Sequence, residues 1–143
     1  MSRIELVTVL VAEYDPAISF FVDALGFELI ENSPAIADDG SRKRWVVVRP
    51  PLSQTGILLA KAMGADQEVV IGNQTAGRVG FFLRVEDFDT AYRHMLSNQV
   101  EFLAEPREEE YGRVAVFLDV SGNRWDLIGP RDEPQRTIAD RSP

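Results

Sequence analysis

The side chains that do most enzymatic work are scarce in this chain. Among 143 residues there is no cysteine and a single histidine, His94. Without thiols there can be no disulfide, thiolate zinc site, iron–sulfur cluster or cysteine nucleophile. No site in the chain can draw two imidazoles from it. A Ser–His–Asp triad would have to recruit His94, which sits inside a helical pattern on the wrong side of its neighbouring strands. There is no P-loop, no GxGxxG and no nucleophile elbow. What remains are carboxylates, guanidinium groups and aromatic rings set in apolar runs: Trp45 in RWVVVR, Tyr111 before GRVAVFL, Arg84 in RVGFFLRV, and Arg124 with Asp126 in RWDLI. A few polar groups in an apolar wall suit the capture of a small molecule, or one proton transfer.

The elements that must position these residues read as a repeat. Val7–Val11 is rich in β-branched residues and predicts a strand. Asp15-Pro16 then reads as an N-cap followed by proline at the first helical position. Ala17, Ile18, Phe21, Val22 and Leu25 follow at helical spacing, and Gly26 stands where a C-cap glycine belongs. Strands are predicted at 27–31, 44–49 and 56–61, with a long polar loop, 33–42, between the first two and a tight turn at Asp39-Gly40. The order βαβββ then recurs: a strand at 78–85, a helix capped by Asp87 or Asp89, and strands at 100–104, 112–118 and 124–128.

The halves align at a nearly constant offset. At 74, Val11 matches Val85, Glu13 matches Asp87, Tyr14 matches Phe88 and Ala17 matches Ala91. The offset falls to 73 at Phe27-Glu28-Leu29, to 69 at Arg44, and to 68 where Leu58 meets Asp126, each step falling in a loop. A capped helix recurring at one offset points to duplication. We therefore expect one α+β domain, residues 1–129, made of modules at about 3–61 and 78–129, followed by a mobile tail, 130–143, with three prolines and few apolar residues. The linker, 66–77, contains Asn73-Gln74-Thr75, which fits a glycosylation sequon that a chain without an export signal would not use.

Composition bounds the partners. Fifteen Lys and Arg against 23 Asp and Glu leave a net charge of −8, which disfavours nucleic acid and anionic membranes. No apolar run approaches the roughly 20 residues needed to span a bilayer. A cytoplasmic location is expected.

The stretches VLVAEYDPAISFFVDALGFEL and GFFLRVEDFDTAYRHMLSNQVEFLAEPREEEYGRVAVFLDVSGNRWDLI carry a family resemblance. Over roughly residues 3–129 the chain resembles the vicinal oxygen chelate superfamily, which includes glyoxalase I, bleomycin resistance proteins and extradiol dioxygenases. The resemblance implies tandem βαβββ modules whose curled mixed sheets form a cleft, with helices outside. It also implies four metal-ligand positions, at Leu6, Leu58, Gly80 and Asp126. Leucine and glycine side chains cannot bind a metal, and one carboxylate cannot hold a catalytic zinc, nickel or iron. No native metal site, no cofactor, and none of the usual glyoxalase or dioxygenase chemistry are expected.

The same strand parity gives a cleft-facing set: Thr8, Leu58, Phe82, Arg84, Arg124 and Asp126, with Trp45 and Tyr111 at strand starts near the mouth. Asp126 has two readings, as a ligand contact or general base, or as the partner of Arg84 or Arg124 across the sheet. Glu108-Glu109-Glu110 reads as a solvated loop. Two functional readings follow. One is a non-catalytic protein that holds a small apolar or aromatic molecule; its likeness to the bleomycin-resistance branch implies a homodimer. The other is a metal-independent isomerase or lyase with Asp126 as base, or a glyoxalase-like lyase should a metal be found.

Overall fold

In the computed structural model, which describes residues 1–131, two four-stranded mixed sheets carry the chain. The first module contributes β1 (Leu6–Val11), α1 (Tyr14–Ser19), β2 (Glu28–Ile36), β3 (Arg42–Arg49) and β4 (Gly56–Lys61). After α2 (Ala65–Glu68) in the linker, the second contributes β5 (Val79–Arg84), α3 (Phe88–Ser97), β6 (Arg107–Glu109), β7 (Gly112–Leu118) and β8 (Arg124–Gly129). The sheet orders are β1-β4-β3-β2 and β5-β8-β7-β6, with β1∥β4 and β5∥β8 parallel and the remaining pairs antiparallel. The duplication holds at the level of register: Thr8 faces Leu58, and their counterparts Phe82 and Asp126 face each other.

Several elements differ from the sequence expectation. The first helix is not capped by Asp15; the cap position is Glu13, whose side chain makes no capping bond, and Asp15 instead pairs with Arg44 at 2.9 Å. Helix α1 widens into a π-helical segment, Phe20–Ala24, ending at Gly26 with φ +74°, a conformation only glycine adopts without strain. Asp87 does cap α3, its carboxylate accepting from Thr90 N at 3.1 Å. The stretch 33–36 is not loop but the far half of β2, paired with β3 as a hairpin closed by the Asp39-Gly40 turn. The expected strand at 100–104 reduces to one bridge, Phe102 to Phe117. Its place at the sheet edge is taken by β6, in the acidic stretch read as a loop. Of the expected tail, 132–143 lies outside the described residues.

One core joins the two modules. Val9, Val11, Val46, Val48 and Leu59 from the first sheet and Phe117, Trp125 and Leu127 from the second belong to a single buried cluster. Phe21, fully buried, spans the junction with its ring 5.7 Å from Trp125, itself stacked on Phe81 at 4.5 Å. Strand alternation thus sends one parity under the helices and leaves the other on the open faces. The linker stitches the seam: Gln74 Oε1 accepts from Leu10 N at 2.7 Å while its Nε2 donates to Thr8 O at 3.0 Å. A side-chain amide thus occupies the hydrogen-bonding edge that β1 would otherwise leave bare. His94 adds a further tie, its Nε2–H donating to the Asp23 carbonyl at 2.7 Å.

Candidate functional site

Each module turns one face away from the shared core, and the expected site residues divide between these faces. On the first sheet, Thr8, Trp45 and Leu58 line one cavity of about 320 Å³ with Leu10, Ala60 and Met63. Register explains the grouping, since Thr8 faces Leu58 and Leu58 faces Val47, two residues along from Trp45 on the same side of β3. Trp45 lies inside β3 rather than at its start.

On the second sheet, one cross-strand row holds Phe82, Asp126 and Val116, and the next holds Arg84, Ile128, Val114 and Arg107. Phe82 is 65% exposed, a large ring left in solvent. Asp126 is only 4% exposed, and its Oδ1 is buried with no hydrogen-bond partner among the described residues. Neither expected arginine pairs with it. Arg124 donates from Nη1 to the Gly77 carbonyl at 2.8 Å, and Arg84 forms no ion pair with it. Burial raises the Asp126 carboxyl above its ordinary value, and the cation that partly opposes this is Arg107. Arg107 is in turn held high by its hydrogen bond to Glu109 (2.8 Å), with further attraction from Asp126 and Tyr111. Tyr111, 54% exposed, stands in the β6–β7 turn. The structure therefore brings Asp126, Arg107 and Tyr111 into one neighbourhood and leaves Arg124 tied to the linker. Sequence reasoning missed Arg107, because REEE has no apolar alternation to mark it as a strand with an inward face.

The residues do not suit a metal. Leu6 and Leu58 offer no donor, and Gly80 falls at a register shift of β5, between Val79 and Phe81. A Cβ built on Gly80 would meet Thr75 Cγ2 at 2.8 Å, so the linker fills the space a ligating side chain would need. Among the described residues no group of three or more His, Asp or Glu gathers. Asp126 is the one donor in the four positions.

These features define a class. The Glyoxalase/Bleomycin resistance protein/Dioxygenase superfamily matches residues 3–127, and the chain belongs to it. An uncharacterized protein of Shewanella frigidimarina (strain NCIMB 400) is 44% identical over 128 residues, covering 89% of this chain and 93% of its own. Among solved structures, UcmS2 superposes with a TM-score of 0.72 at 27% identity, covering 90% of this chain and 98% of its own. TnmS3, described as an antibiotic binding protein from Streptomyces sp. CB03234, also superposes at 0.72, with 26% identity over 91% of this chain and 97% of its own.

Proposed function

We propose that the protein binds a small, largely apolar or aromatic molecule that carries a hydrogen-bond donor, and that it does so without metal-dependent catalysis. The observation that carries this reading is the buried, unpartnered carboxyl oxygen of Asp126 beside the exposed ring of Phe82. Leaving such an oxygen unsatisfied costs about 1–3 kcal/mol, which a ligand ammonium or phenolic hydroxyl would recover. The likeness to an antibiotic binding protein supports a drug-like ligand, and the missing donors at Leu6, Leu58 and Gly80 argue for binding in place of metal chemistry. Exposed rings at Phe82 and Tyr111 support pairing as a homodimer, checked by light scattering. The acidic balance and the absence of cysteine support a cytoplasmic home. A thermal-shift screen of antibiotics and aromatic metabolites tests the reading. Amines or phenols should raise the melting temperature of the wild type and much less that of Asp126→Asn. A transition metal bound stoichiometrically through Asp126 would overturn it.

One observation favours a second reading, a metal-independent isomerase or lyase. Burial pushes the Asp126 carboxyl upward, as a general base requires, and Arg107, the cation whose charge acts on Asp126, would serve as the electrophilic partner. Turnover abolished by Asp126→Asn would establish that reading.

A further inference from the structure

The two modules carry different chemistry at matching places on their open faces. At the offset of 74, Thr8 and Leu10 of β1 correspond to Phe82 and Arg84 of β5. At 68, Leu58 and Ala60 of β4 correspond to Asp126 and Ile128 of β8. The pairing repeats as well: Thr8 faces Leu58 and Leu10 faces Ala60, as Phe82 faces Asp126 and Arg84 faces Ile128. The first module builds this part of the fold without a charge. The second sets an acid and a cation there, so the scaffold itself requires neither.

Phe82, Arg84 and Asp126 share one face. Phe81 and Leu83 pack on the core, which turns Phe82 and Arg84 outward. Asp126 lies one strand spacing, about 4.8 Å, across from Phe82, and Arg84 lies two residues, about 6.6 Å, along β5, so the Cα atoms of Asp126 and Arg84 stand about 8 Å apart. The charges do not cancel within the chain. Arg84 is exposed and has neither hydrogen bond nor ion pair among the described residues. The cation that acts on Asp126 is Arg107, itself bonded to Glu109 at 2.8 Å. Phe82 thus stands at the corner of an L, with a buried acceptor across from it and an unengaged guanidinium along its own strand. A flat ring stacked on Phe82 would direct one edge to Asp126 and another to Arg84.

We propose that the ligand is an aromatic acid that also carries a hydrogen-bond donor: a planar body on Phe82, a hydroxyl or N–H meeting Asp126 Oδ1, and a carboxylate or similar anionic group held by Arg84. The proposal rests on the binding reading above, and adds to it the ligand's second polar group and Arg84 as the residue that selects for that group.

Equilibrium dialysis at neutral pH with three matched compounds tests it. The compound 6-hydroxy-2-naphthoic acid carries both groups, 2-naphthol only the donor and 2-naphthoic acid only the anion. The hydroxy acid should bind the wild type most tightly. Arg84→Gln should weaken the hydroxy acid and 2-naphthoic acid by roughly fivefold, the upper worth of an exposed ion pair, and leave 2-naphthol unchanged. Added salt should have the same selective effect. Asp126→Asn should weaken the hydroxy acid and 2-naphthol and spare 2-naphthoic acid. A hydroxy acid that binds no more tightly than 2-naphthol, or affinities that are all unchanged in Arg84→Gln, would overturn the proposal. If 2-naphthol still binds more weakly to Asp126→Asn in that case, the binding reading stands and only the role of Arg84 falls. Equal binding of 2-naphthol to wild type and Asp126→Asn would overturn the reading itself.

Discussion

Asp119 and Asp126 are both buried acids near β8, and their surroundings are opposite. Asp119 Oδ1 accepts from the backbone N–H groups of Ser121, Gly122 and Asn123, and its Oδ2 accepts from Asn123 Nδ2 and Trp125 Nε1. That carboxylate builds the turn that launches β8. Asp119→Asn would set an amide donor against one of these donors and is expected to cost about 1–3 kcal/mol in chemical denaturation. Asp126 has an oxygen with no such partner among the described residues, and its proton is held more tightly folded than unfolded. For a group raised in this way, the stabilising contribution is complete below the ordinary carboxyl value of 3.8 and is lost as pH climbs through the elevated folded value. Asp126→Asn is therefore expected to match the wild type in acid and to exceed it in stability at neutral pH, from removal of the ionisation penalty. Melting curves from pH 3 to 8 check this, and a gap that shrinks with rising pH would contradict it. Asp126 was legible in the sequence because it is the lone acid inside RWDLI. Its surroundings were not, since the cation whose charge opposes its burial, Arg107, lies on β6, which the charge run conceals.

At the scale of elements, strands with β-branched and alternating residues were read correctly: β1, β3, β4, β5, β7 and β8 fall within two residues of expectation. The failures have a common cause. The far half of β2 and all of β6 are edge segments, the first a Ser-Pro-Ala-Ile run interrupted by proline and the second wholly charged, held by backbone pairing that leaves no hydrophobic period. Residues 100–104 fail in the other direction: Val100 and Phe102 are apolar because they pack on the core, with only one bridge to β7. The linker was also opaque, and it decides what the mapped ligand position can hold. Gly80→Ala is expected to destabilise by about 1–3 kcal/mol, because its Cβ would press on Thr75. In a Thr75→Gly background most of that cost should disappear, a coupling that a double-mutant cycle of urea unfolding would measure.

For the whole molecule, the constant offset between halves made the duplication visible, and the structure repeats it as sheet order, register and helix placement. The meeting of the two modules was not visible: Phe21 reaching Trp125 and Gln74 lying along β1 depend on long-range geometry that no local pattern encodes. The resulting molecule has a shared apolar core and two outward faces of different chemistry, one holding Asp126 and the other Trp45 and Leu58. At this scale the proposed binding reading rests on a scaffold in which Leu6, Leu58 and Gly80 stand where a metal would need donors. The most direct test is calorimetric titration, at neutral pH, of the amine or phenol that stabilises the protein most in the thermal screen, into wild type and Asp126→Asn. The account predicts one tight site in the wild type and at least about tenfold weaker binding in the variant, the worth of a hydrogen bond to a charged group. Equal affinity in the two proteins would contradict it.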